Sequence, residues 1–201
     1  MYVRVSTVVD TADIDAGAAH VRDVAVPRLR EQAGFAGLTM SAARAASTVA
    51  VLTRWATEQD LRASEHAART VREEALAVIG GTASVEAFEE VVYEVGDDAP
   101  SVGCVVRARE VRVPPASADG NIAFFREQVV PHMRATAGFR AVRYLIDRGT
   151  GAGLIGVVFS DEAALRAGDA GFEQGREEAR STRGVEFGET SVRELLVVAG
   201  G

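Results

Sequence analysis

Three histidines stand in this chain, His20, His66 and His132, and histidine is the side chain that exchanges a proton near neutral pH. His132 follows Pro131, and a matching Pro27 precedes Arg28. That makes His132 the best single candidate for a base. Arg22 and Arg126 occupy equivalent places, and His20 lies half a helical turn from Arg22. A guanidinium so placed either stabilises an anion formed by proton removal or covers apolar surface with its stem. Trp55 and Tyr144 offer ring faces on which an aromatic ligand stacks; Trp55 fits a core position equally well. The histidines show no paired spacing, so no metal site is expected. Gly149-Thr150-Gly151-Ala152-Gly153 has the look of a phosphate loop. A strand rather than a helix N-terminus follows it, so it reads as a hairpin turn. Cys104 lies in an apolar stretch expected to be strand, which suits a buried, inert thiol.

"Equivalent" here rests on an internal repeat. Val26-Pro27-Arg28-Leu29-Arg30-Glu31-Gln32-Ala33-Gly34-Phe35 returns as Val130-Pro131-His132-Met133-Arg134-Ala135-Thr136-Ala137-Gly138-Phe139, a shift of 104 residues. The same shift lays Trp55 on Phe159, and Arg72-Glu73-Glu74-Ala75 on Arg176-Glu177-Glu178-Ala179. The chain of 201 residues is therefore two copies of one unit. We place them at 1–96 and 102–201, with a short polar linker at 97–101.

Each copy reads as strand, helix, strand, strand, helix, strand. Tyr2 to Val9 alternates apolar and polar residues, as a strand does. Ala18, Val21, Ala25 and Leu29 recur at helical spacing. Pro27 should kink that helix or start a fresh turn, and Gly34 should end it. A hairpin follows, then a helix capped by Thr57 and stopped at Gly80-Gly81, then a strand over Phe88–Val95. In the second copy the corresponding segments run Val102–Val113, Ser117–Ala137, Phe139–Arg148, Gly153–Ser160, Asp161–Arg180 and Val185–Val198. Asn121, the sole asparagine, is placed before the first helix of that copy. The pattern is the split βαβ, or ferredoxin-like, unit. Leu154 to Phe159 is apolar on both strand faces, as in sheets covered on both sides. The fold class is thus α+β: two tandem ferredoxin-like repeats packed sheet to sheet as one barrel.

The Ala-Gly-Phe turn, Ala33-Gly34-Phe35 and Ala137-Gly138-Phe139, carries a family resemblance. So does an aromatic strand end three residues before an acidic helix start, Trp55 to Glu58 and Phe159 to Glu162. On these residues the chain resembles the dimeric α/β-barrel superfamily, and within it the antibiotic biosynthesis monooxygenase-like family. The resemblance implies a pseudo-dimer within one chain, fused where most relatives pair as separate chains. It implies oxidation of a small aromatic or polyketide-like ligand by O₂ with no cofactor, or a related isomerase or cyclase reaction. The pocket would lie between helix and sheet, and the residues to carry the work would be His132, Arg22 and Arg126, with Trp55, Tyr144 and His20 around the ligand. The haem-degrading branch is not matched: strand one has no Asn, Trp55 is not on a helix, and His66 aligns with Ala170. A non-catalytic binding barrel is the other reading.

A net charge of −7 argues against nonspecific binding to nucleic acid or anionic membranes. A lone cysteine forms no internal disulfide, no apolar run reaches membrane-helix length, and no signal peptide is apparent, so a cytoplasmic protein is expected. Further pairing of whole barrels into a homodimer stays open. The two copies differ at Arg28/His132, Met40/Tyr144 and His66/Ala170. If one copy keeps a pocket, the other is expected to be filled.

Overall fold

The computed structural model describes residues 1–200, apart from the side chains of residues 170, 171, 173 and 174. The comparison of His66 with Ala170 therefore falls outside the described side chains. By residue contacts the chain divides into two compact units. One is Met1–Phe88 together with the residues from Arg193 on; the other is Glu89–Val192.

The first unit contains β1 (Tyr2–Val9), α1 (Ile14–His20), α2 (Val26–Arg30), β2 (Phe35–Ala43), β3 (Thr48–Trp55), α3 (Glu58–Ala63) and α4 (Glu65–Ile79). β4 (Thr82–Val95) begins here and ends in the second unit. The second unit repeats the order with β5 (Val105–Arg112), α5 (Ala118–Phe124), α6 (Val130–Arg134), β6 (Phe139–Ile146), β7 (Ala152–Phe159), α7 (Glu162–Gly171) and α8 (Glu173–Arg183). β8 (Glu186–Gly200) runs from the second unit back into the first. The strands form a closed antiparallel barrel in the order β1-β3-β2-β8-β5-β7-β6-β4. The class is α+β, a barrel of tandem ferredoxin-like units.

The expected elements are present, with informative differences. The first helix of each copy is broken by a π-helical turn, Val21–Ala25 and Phe125–Val129, and restarts with proline in its first turn. Pro27 and Pro131 bring no N–H to the carbonyls behind them, and their rings need room. The helix accommodates both by widening for one turn. The second helix is also split, at Ser64 between α3 and α4. β4 starts at Thr82 rather than at Phe88. Asn121 lies inside α5 rather than before it. Cys104 is buried as expected, but precedes β5 rather than lying in it, with its Sγ 3.6 Å from the Ser101 hydroxyl.

Gly34 and Gly138 close the first-helix segments with φ of +74° and +79°. A Cβ at Gly34 would stand 2.3 Å from the Asp60 carboxyl carbon, and one at Gly138 2.6 Å from the Ala164 Cβ. Conformation and space both demand glycine there, which explains why the Ala-Gly-Phe turn occurs twice. Each unit has its own apolar core between helices and strands. Trp55 and Leu29 anchor the first; Phe159, Val142 and Val157 anchor the second.

Candidate functional site

In the second unit a cavity of about 440 Å³ lies between the helices and the inner strand faces. That is within the usual range for small-ligand sites. One wall is the broken helix. Asn121, Phe124, Phe125, Gln128, Val129, His132 and Met133 all line the space, spaced three and four apart so that they share one face. The π turn carries that face across the proline break. Val111, Tyr144 and Ile155 floor the cavity from the strands, and Phe172 and Phe187 close its sides.

The polar groups on this apolar lining are few and specific. His132 is exposed where the cavity meets solvent, and its Nδ1 lies 2.6 Å from the Gln128 carbonyl oxygen. A carbonyl only accepts, so Nδ1 carries the proton and donates it there. In the neutral tautomer that donates from Nδ1, the lone pair a general base uses sits on Nε2. Tyr144 is buried beside Phe125, ring centroids 5.3 Å apart. Burial pushes its phenol up to about 12, so at neutral pH it is a hydrogen-bond donor, not a base. Asn121 spends its amide N–H groups on the Ser117 carbonyl and hydroxyl, both at 3.2 Å.

Arginines form the remaining polar wall. Arg107 is buried and ion-paired with Asp169, which also holds Arg176 at 3.1 Å. Burial, and then the neighbouring Arg176 and Arg109, lower the Arg107 guanidinium to about 10; it stays charged at neutral pH. Arg109 also lines the cavity, its guanidinium 5.9 Å from the centre of the Phe187 ring.

The corresponding space in the first unit is about 60 Å³. Leu29, Leu38, Met40, Val71, Leu76 and Ile79 all border it. Ile79 reaches so far in that a Cβ on Gly17 would sit 2.7 Å from its Cδ1. The second copy has Asn121 for Gly17, Gly175 for Val71, and Arg183 for Ile79. Arg183 turns outward onto the Phe124 ring, 3.7 Å from its centre, and a Cβ at Gly175 would meet no atom within 4 Å. One half is packed shut and the other is open.

Of the residues singled out from sequence, His132 and Tyr144 meet in this cavity. The others do not join them. Arg22 is exposed and pairs with Asp23 at 2.8 Å. Arg126 is exposed and donates to the Val91 carbonyl at 2.7 Å. Trp55 is fully buried, its Nε1 donating to the Thr53 hydroxyl at 3.0 Å, and lines neither cavity. His20 is half-buried at the end of α1 and also lines neither; its counterpart, Phe124, lines the open one. Sequence reasoning passed over Arg107, Arg109, Arg176 and Asn121. A signal was there for Arg109. Tyr2 pairs with Trp55, and Val105 with Phe159, so strand one is offset by one residue from the 104-residue register. In that corrected register Arg4, which pairs with Glu65 beside Arg72, matches Arg107, whereas Ser6 stands where the second copy has Arg109. Among the described residues no group of His, Cys, Asp or Glu is arranged to hold a metal ion, and no helix is long and apolar enough to cross a membrane.

The barrel with a pocket beneath each broken helix decides the comparison. The fold is that of the dimeric α/β barrels. The crystal structure of the putative monooxygenase from Lactobacillus acidophilus NCFM matches with a TM-score of 0.72 at 12% identity, covering 99% of this chain and 96% of that one. An anthrone oxidase-like protein matches with a TM-score of 0.63 at 14% identity, covering 100% and 94%. At such identities the likeness is one of fold alone. In sequence, the chain is 27% identical over 196 residues to the uncharacterized protein Rv2557 of Mycobacterium tuberculosis (strain ATCC 25618 / H37Rv), spanning 97% of this chain and 84% of that one. No family model matches the chain.

Proposed function

We propose that the second-unit cavity is the active site of an oxygenase. It takes a small aromatic or polyketide-like phenol, of the anthrone type, and oxidises it with O₂. One observation carries this reading: the cavity is open only in the copy that has His132 and Tyr144, and closed to about 60 Å³ in the copy that has Arg28 and Met40. The fold it shares with a putative monooxygenase and an anthrone oxidase-like protein supports the same class.

His132 Nε2 removes a proton from the substrate, and the Gln128 carbonyl holds the imidazole in the tautomer that can do so. The resulting electron-rich phenolate gives up electrons to O₂, and a carbon–oxygen bond forms at the activated carbon as a peroxide. Loss of that carbon's remaining proton breaks the O–O bond. One oxygen stays as the new carbonyl and the other leaves as water, with the proton His132 carried returned to it. Tyr144, kept neutral by burial, donates a hydrogen bond to the phenolate oxygen. The apolar wall excludes bulk water from the anion.

The test is oxygen uptake with a hydroxylated anthrone. The wild type should consume one O₂ per quinone formed. His132→Ala should lower kcat by about a hundredfold or more, as loss of a general base does. His132→Arg, which restores the first copy's residue, should do the same. No uptake by the wild type, or full activity in both variants, overturns the proposal. Ligand binding without uptake would favour the non-catalytic barrel.

A further inference from the structure

The duplication separates what the fold needs from what the cavity adds. Arg107, with Asp169 and Arg176, repeats in the first unit as Arg4 with Glu65 and Arg72. That Arg–acid–Arg group therefore belongs to the scaffold. Asn121 does not repeat. Gly17 stands at its place in the first copy, so the unit folds without an amide there. Asn121 is nevertheless only 6% exposed, and it lines the open cavity.

Its amide is held in one orientation. The Ser117 hydroxyl donates to the Pro114 carbonyl at 3.0 Å, so its proton is committed. Towards Asn121 that hydroxyl and the Ser117 carbonyl both act as acceptors. A reversed amide would set oxygen against oxygen twice. Nδ2 therefore faces Ser117, and Oδ1 is turned away from it. Among the described residues Oδ1 has no hydrogen-bond partner, and it is not sealed off from the space the residue lines. An acceptor in a buried, mainly apolar wall is costly unless something donates to it. His132 lies on the same face of the broken helix, exposed where the cavity meets solvent, while Asn121 is buried. The two mark the outer and inner ends of one wall, and the stretch of helix between them spans roughly 16 Å.

We infer that the phenol bound in this cavity carries a second hydroxyl at the end remote from His132, and that Asn121 is the residue that selects for it. Oδ1 accepts the proton of that hydroxyl. A ketone, ether or carboxylate at that end would bring a second acceptor against it, and a bare ring edge would leave it unpaired. A site built around a buried hydrogen-bonding group rejects analogues that lack the matching donor. The length of the wall suits an elongated polycyclic or biaryl frame. The inference rests on the cavity being a ligand site, as proposed above, but not on its oxygen chemistry.

Binding measured by calorimetry without O₂ tests it independently of turnover. The probes are 4,4′-dihydroxybiphenyl and 4-hydroxybiphenyl, which differ in the far hydroxyl alone. The wild type should bind the diol at least about fivefold more tightly, the equivalent of one neutral hydrogen bond. Asn121→Leu keeps the volume and removes the acceptor. It should reduce that preference to the small statistical advantage of a molecule with two identical ends, while the affinity for 4-hydroxybiphenyl does not fall. Melting curves check that the variant folds; Asn121→Gly, the first copy's residue, removes the same acceptor if leucine is not tolerated. No preference beyond the statistical one in the wild type, binding of neither probe, a preference that persists in the variant, or an equal loss for both probes would each overturn the inference. Oxygen uptake with a hydroxylated anthrone is a separate measurement: it stands or fails whichever of these results is found, and the diol preference stands or fails without it.

Discussion

The two units share a backbone plan and differ in what lies beneath the broken helix. In the first, Leu29, Met40, Leu76 and Ile79 border a remnant of about 60 Å³; in the second, Met133, Tyr144, Arg180 and Arg183 occupy those places, and about 440 Å³ stays open. The π turn, the proline restart, the positive-φ glycine and the Arg–acid–Arg group occur in both. These features therefore hold the fold and are not signs of chemistry by themselves. What distinguishes the open half is smaller: a glycine for Val71, two arginines turned away from the interior, and His132 where Arg28 pairs with Glu74 at 2.7 Å. Duplication lets one half carry packing while the other gives packing up.

The largest effect should come from trimming the same helix position in each half. Leu29 and Met133 are both almost fully buried. Leu29→Ala removes atoms from a filled core and should cost about 2–5 kcal/mol. Met133→Ala enlarges a cavity that already exists, so it adds less void for the atoms lost and should cost about half as much. For a chain of this length each kcal/mol moves Tm by roughly 2–4 °C, so thermal melts resolve the two. Equal losses would mean that the second half is as tightly packed as the first.

The contrast also appears at high pH. Burial holds the Tyr144 proton to about 12, against 10.0 for an ordinary tyrosine. The unfolded chain releases that proton first, so the contribution is complete below pH 10 and is lost as pH rises through 12. Its size is about 2–3 kcal/mol. Arg107 works the other way: its folded value near 10 lies below that of an ordinary guanidinium, so stability is regained as it loses its proton. The wild-type curve alone mixes the two. The difference between wild type and Tyr144→Phe isolates the tyrosine, and denaturant titrations from pH 9 to 12 should show wild type losing stability relative to the variant as pH rises. Parallel curves would mean that the phenol is hydrated through the cavity.

Much of the fold is readable from the repeat, because Gly34/Gly138, Pro27/Pro131 and the strand alternation are local demands on the backbone. The site is readable only in part. His132 and Tyr144 could be picked out as differences between copies, and both line the cavity. Arg22 and Arg126 misled because a position shared by both copies signals common scaffold, and both side chains point to solvent. Trp55 misled because a large ring near a ligand and a large ring in a core have the same periodicity. Arg109 went unnoticed because β1 and β5 are offset by one residue from the helices, which hides its match to Ser6. Which side chains fill a cavity also depends on volumes contributed by distant segments, such as Ile79 against Gly17, and no local pattern reports that.

The smallest expected difference lies at the caps of α3 and α7, which stand in equivalent places. Thr57 accepts from the Asp60 N–H at 3.1 Å, while the Asp60 carboxylate accepts from the Thr57 N–H at 3.1 Å, a reciprocal capping box. Asp161 caps α7 by accepting from the Ala164 N–H at 2.9 Å, with no reciprocal bond to its own N–H, and accepts from the Ser160 hydroxyl. The hydrogen bonds from Ala164 and Ser160 hold its carboxyl below the usual carboxylate range. Thr57→Ala should cost about 1 kcal/mol at neutral pH, and Asp161→Ala should also lower Tm. They part on acidification. A depressed carboxyl stabilises above its unfolded value and loses that contribution as pH falls through the folded one, so the cost of Asp161→Ala should shrink towards pH 3. Threonine does not titrate, so the Thr57→Ala cost should change less with pH than the Asp161→Ala cost. A pH-independent cost for Asp161→Ala would mean that its role is packing rather than charge at the helix start.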